Sequence, residues 1–166
     1  MMQSVLKKRP LMRTMIAYGF VNVTADALEQ NLISKKKVYD SLKTVRVTLV
    51  GTFLVAPLVF NWIRLTERLL PSKKVPAVLI KVLCDQFLFA PVAITTFYIG
   101  TNILERQKDL LAEWKRKFFP TWTTGMMFWP IAQAINFRFI PWELKTIYLP
   151  CCSLIWTTYL CYMKEK

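Results

Sequence analysis

The chain has 166 residues, 54% of them hydrophobic and 14% aromatic, with a mean hydropathy of +0.32, more oil than a soluble domain of this size needs. Yet Lys and Arg number 23 against 10 acidic residues, a net charge of +13, which excludes a uniformly apolar chain. Charge and apolarity must be segregated, and with no histidine a Cys/His metal site is excluded.

In chain order, short basic blocks ("KKR" at 7 to 9, "KKK" at 35 to 37, "SKK" at 72 to 74, "KRK" at 115 to 117) separate long apolar runs. That is the layout of a multispanning membrane protein, with the blocks at the surface attracting anionic headgroups. No zinc-finger, RNP or basic-zipper pattern accompanies them, so direct nucleic-acid binding is not expected. The first 20 residues carry the charge bias of a mitochondrial targeting region but lead straight into an apolar run, and read as an uncleaved internal signal.

A bilayer core of about 30 Å takes roughly 20 helical residues. Five runs have about that length: 11–33, 45–65, 75–103, 119–140 and 146–162, the last interrupted by Pro150. Between the third and fourth, 105–117 ("ERQKDLLAEWKRK") places Leu110, Leu111 and Trp114 at helical spacing among charges, the pattern of an interfacial amphipathic helix. Trp62, Trp114, Trp122 and Trp142 fall near run ends, where aromatic belts sit. The expected fold is one all-α domain over residues 1–166, a polytopic bundle of four to five kinked transmembrane helices with one interfacial helix. Basic residues divide almost evenly between alternate loops, so orientation is open.

Polar residues inside the runs are costly, about 2.5 to 3.5 kcal/mol for a charge at the bilayer centre on insertion scales, and each asks for a partner or water. Asn22, Asp26, Glu29 and Gln30 form one stripe on the first run. Asp85 and Gln86 form a patch on the third, with Lys81 one turn earlier as a candidate ion-pair partner, and Gln133 and Asn136 form another on the fourth. Pro57, Pro91 and Pro130 each remove one helical hydrogen bond and mark kinks. "FLVAP" at 53 to 57 and "FLFAP" at 87 to 91 are near copies, by helix-level repetition or by chance. Asp26, Glu29, Gln30, Asp85, Gln86, Gln133 and Asn136 can line a water-filled path or lock a dry bundle. Cys84, Cys151, Cys152 and Cys161 lack metal spacing and read as packing residues.

These elements carry a resemblance to the Mpv-seventeen and peroxisomal-membrane-protein-two family, and within it to the Mpv-seventeen-like branch. "ADALEQ" and "CDQFLFAP" match its first and third helices. "WTTGMMFWPIAQAINFRFIP" matches its signature through Trp122, Trp129, Pro130, Gln133, Asn136, Phe137 and Pro141, and "IWTTYLCY" matches its closing motif through Trp156. Where many members have Gly-Pro and His in the second helix, this chain has Gly51 with neither. The resemblance implies an organelle membrane protein, a weakly selective channel for small hydrophilic solutes linked to reactive-oxygen metabolism. Its place would be the mitochondrial inner membrane, alternatively the peroxisomal membrane. The implied partners are lipid, small solutes and further copies of the chain, without cofactor, metal or catalysis. A different class of protein, a non-conducting scaffold recruiting soluble partners through Lys115, Arg116 and Lys117, is the competing expectation.

Overall fold

The computed structural model describes residues 10–35 and 37–165, so the basic block at 7 to 9 and Lys36 lie outside the described residues. Five long helices account for nearly all of it, with no strand among the described residues. Helix α1 is Pro10–Leu28, continued by a π-helical turn, Glu29–Ile33. Helix α2 is Ser41–Leu69 and α3 is Val75–Leu104, and both are long and apolar enough to cross a membrane. Helix α4 is Ala112–Arg138, and α5 is Trp142–Glu165, running unbroken through Pro150.

Local chemistry sets these boundaries. Asp40 caps α2 by accepting the N–H of Lys43 at 3.0 Å. Pro76 sits in the first turn of α3, where a missing N–H costs nothing. Helix α3 stops because Arg106 adopts a left-handed conformation (φ 55°), letting Gln107 N–H reach back to Asn102 O at 3.0 Å. Asp109 then accepts the N–H groups of Leu111 and Ala112, which starts α4. The expected separate interfacial helix over 105–117 is therefore not formed. Its apolar spacing straddles a stop and a cap, and its second half, 112–117, opens α4.

Helices α2 and α3 meet their prolines in the same way. A π turn, Gly51–Val55 or Asp85–Phe89, precedes Ala56-Pro57 and Ala90-Pro91, so "FLVAP" and "FLFAP" share one local geometry. In this register Ala90 N–H bonds Asp85 O, and the next donor in line, for Gln86 O, would be residue 91, a proline. The orphaned carbonyl is taken by the indole N–H of Trp122 on α4, at 3.0 Å. Pro130, by contrast, lies inside α4 with no π turn beside it.

The helices run alternately up and down and close into a ring. Each packs on its sequence neighbours, and α5 returns to α1 in the most extensive contact of the structure. Polarity is inverted relative to a soluble protein. Phe20, Met127 and Ile131 are 74%, 79% and 67% exposed, while Asp26, Glu29 and Lys81 are fully buried. Such an arrangement suits lipid, where polar groups must be satisfied internally and apolar side chains gain nothing from leaving the surface.

Candidate functional site: a cavity between two polar locks

Helices α1, α2 and α5 meet at one end of the ring around Lys43. Its ammonium lies 2.6 Å from Glu29, 2.9 Å from Glu165 and 3.4 Å from Asp26. Gln30 donates to Asp26 at 2.7 Å and accepts the N–H of Asp40 at 2.7 Å, and Thr44 donates to Asp26 at 2.6 Å. The π turn Glu29–Ile33 closes with Ser34 N–H on Glu29 O, and the Ser34 hydroxyl also donates to the Glu29 carboxylate. At the same end Lys164 donates to Asn102 at 2.6 Å, to Glu105 at 3.0 Å and to Glu113. Lys117 in turn donates to Glu113 at 2.8 Å and to Lys164 O at 2.6 Å.

The opposite end is built on Glu67, which lies between Lys145 at 2.9 Å and Lys81 at 3.2 Å. Both ammonium groups also face the Phe137 ring, 5.2 and 5.1 Å from its centroid, a double cation–π contact. Lys81 is thus the partner of Glu67, and the ion pair with Asp85 considered from sequence is not made. Asp85 instead accepts only neutral donors among its hydrogen bonds: Trp62 at 3.1 Å and Gln133 at 2.9 Å on one oxygen, Gln86 at 3.2 Å on the other. Gln133 accepts from Asn136 at 2.9 Å, and Asn136 O accepts from Lys145 at 2.7 Å.

Between the locks lies a cavity of about 70 Å³ to which all five helices contribute. A water needs about 10 to 15 Å³ on this measure, so there is room for roughly five. Val59, Phe89, Phe97, Trp129, Leu149 and Trp156 form apolar wall; Tyr18, Asn22, Asp85, Gln133, Ser153 and Thr157 are its polar points. The Tyr18 hydroxyl and Ser153 Oγ, 3.0 Å apart, staple α1 to α5. Asn22 is buried with its Nδ2 unpartnered, pressed against Gly51, where a Cβ would lie 2.0 Å from that nitrogen. Gly51 is therefore glycine for close approach, not for an unusual φ.

The seven residues singled out from sequence divide by place. Asp26, Glu29 and Gln30 belong to the first lock; Asp85 and Gln133 touch the cavity; Gln86 and Asn136 complete the network behind them. Tyr18, Ser153 and Thr157 were not singled out. Tyr18 and Thr157 resemble ordinary helix residues, and only the α1–α5 contact brings Tyr18 and Ser153 together. Three of the four tryptophans expected as belts turn inward, Trp62 to Asp85, Trp114 to Thr95 at 2.9 Å and Trp122 to Gln86 O. Trp129 and Trp156 meet edge to face at 5.9 Å on the cavity wall, and Pro141 forms the turn that starts α5.

The model of the Mpv17 / PMP22 family matches residues 102–161, the end of α3 through most of α5. The Mpv17-like protein of Xenopus laevis is 37% identical over 161 residues, 96% of this chain and 79% of its own length. The Mpv17-like protein of Bos taurus is 38% identical over 141 residues, 85% and 71% of the two chains. The mitochondrial inner membrane protein Mpv17 of Caenorhabditis elegans is 29% identical over 167 residues, 97% and 90%. No solved structure matches. Kinship above one third identity along most of both chains, with Trp129, Gln133 and Trp156 of the signature on the cavity wall and Phe137 in the lock at Glu67, makes this chain a member of the Mpv17 / PMP22 family.

Proposed function

We propose that this chain resides in the mitochondrial inner membrane, crosses it five times, and forms a gated passage for small hydrophilic solutes without catalysing a reaction. The observation that carries this reading is the cavity bounded by all five helices and flanked at both ends by charged locks. Two helices meet the length and apolarity of a span by themselves. For the other three, the support is that they complete the same ring and expose large apolar side chains such as Phe20, Met127 and Ile155. The location is supported by relatives named as mitochondrial inner membrane proteins.

In this reading the structure is the closed state. Apolar wall on either side of the polar points disfavours a continuous water column, and the lysine-centred locks hold helix ends together. Exposed Arg64, Lys73, Lys74 and Arg138 sit at one end, where anionic headgroups would meet them. The protein acts alone or as a small homo-oligomer. The scaffold alternative loses part of its footing, because Lys117 of the basic triad points inward to Glu113 and Lys164 O.

Purified protein in planar bilayers is expected to conduct, and reconstituted vesicles to release small solutes. Lys43→Gln, which frees the α1–α2 end, should raise the open fraction. Silence in both assays, for the wild type and for Lys43→Gln, would sink the passage. Imaging of the tagged protein against mitochondrial and peroxisomal markers tests its location.

A further inference from the structure

Asp85 combines burial (2% exposed), a place on the cavity wall and a set of hydrogen-bond donors that are all neutral. A carboxylate offers about four lone-pair positions, and three are filled, two on Oδ1 and one on Oδ2. Lys81, one turn before Asp85, and Lys145 are both held by Glu67. A buried carboxylate without a counter-charge is strongly disfavoured and is relieved either by a proton or by a cation from outside the chain. Its surroundings suit an organic one, because Phe89, Phe97, Trp129 and Trp156 line the same cavity, and aromatic faces attract ammonium groups where water is scarce. A further donor lies on the same wall: in the Tyr18–Ser153 pair one hydroxyl donates to the other, which leaves the second hydrogen for a ligand.

We infer that the cavity binds a small primary ammonium compound carrying a hydroxyl or carbonyl oxygen. The ammonium sits on Asp85 and the oxygen accepts from the Tyr18–Ser153 pair. Room for roughly five waters limits the ligand to about four to six non-hydrogen atoms, the size of an amino alcohol. This deepens the proposed function by naming the class of solute the closed cavity retains. It rests on the cavity and not on conduction.

The test uses the full chain in lipid nanodiscs, with ethanolamine at neutral pH as probe. Ethylene glycol is the neutral match in size, and ethylamine lacks the hydroxyl. Thermal unfolding and tryptophan fluorescence, to which Trp129 and Trp156 report from the wall, are followed against concentration. Ethanolamine should give a saturable rise in Tm of at least ~2 °C, with ethylene glycol giving none and ethylamine binding more weakly. Asp85→Asn should weaken binding at least ~10-fold, the cost of losing the ion pair. Removing both hydroxyls, Tyr18→Phe with Ser153→Ala, should erase the preference for ethanolamine over ethylamine. Should Asp85→Asn fail to fold, Ala93→Ile fills the cavity while leaving Asp85 and its donors in place, and it should abolish the response. Equal responses to ethanolamine and ethylene glycol, or undiminished binding in Ala93→Ile or Asp85→Asn, would overturn the inference. Binding with no conductance would instead leave the site standing and remove only the passage.

Discussion

At the scale of single residues, the interior is governed by two kinds of polar contact with different costs. Lys43 neutralises carboxylates on both α1 and α5, so Lys43→Met leaves buried Asp26 and Glu29 without their cation. The expected loss is about 3 to 5 kcal/mol, read as a fall in unfolding midpoint in mild detergent. Interhelical hydrogen bonds between neutral groups are smaller. Tyr18→Phe, which removes the staple to Ser153, should cost only about 0.6 kcal/mol. Gly51→Ala tests a third effect, packing. The new Cβ would overlap Asn22, and a destabilisation of roughly 1 to 3 kcal/mol is expected. Adding Asn22→Ala should restore most of that loss, an outcome that a backbone origin would not give.

At the scale of elements, the π turn is the device that joins sequence to site. It orphans Gln86 O opposite Pro91, and Trp122 answers from another helix. Trp122→Phe should therefore cost about 1 kcal/mol for the lost bond. In a Pro91→Ala background residue 91 regains an N–H that can reach Gln86 O, and the same substitution should cost measurably less. A double-mutant cycle of thermal unfolding reads that coupling, and strict additivity would refute the account. The helices themselves were legible from the sequence, because apolar runs between basic blocks mark them plainly, and two of them are long and apolar enough to cross a membrane. Which polar groups would meet was not. Lys81 is one turn from Asp85 in sequence, yet Glu67, 14 residues away, claims it. The segment 105–117 showed why periodicity alone can mislead, since a left-handed Arg106 and a capping Asp109 cut through a continuous pattern.

At the scale of the whole molecule, acidic residues gather at one end of the ring although basic residues do not. Glu113 illustrates the consequence. Burial raises its carboxyl pKa, but hydrogen bonds from Lys117 and Lys164 outweigh this and hold it below its ordinary value of 4.5. A depressed acid contributes stability that is present above its unfolded value and lost as pH falls through the folded one. Thermal unfolding should therefore weaken as pH drops below about 4.5, less so in Glu113→Gln, with the neutral range flat for this group. Finally, the broadest packing in the ring joins its first helix to its last. For a chain inserted helix by helix, the partner that covers the inner face of α1 arrives at the end. Meanwhile the α1–α2 hairpin carries its own counter-charge in Lys43, so Asp26 and Glu29 need not wait for it. In the proposed membrane setting, newly made copies pass through an open-sided stage in which Tyr18, whose partner Ser153 lies on α5, faces lipid or a chaperone. Assembly, more than the finished fold, is where substitutions in α5 should do their damage.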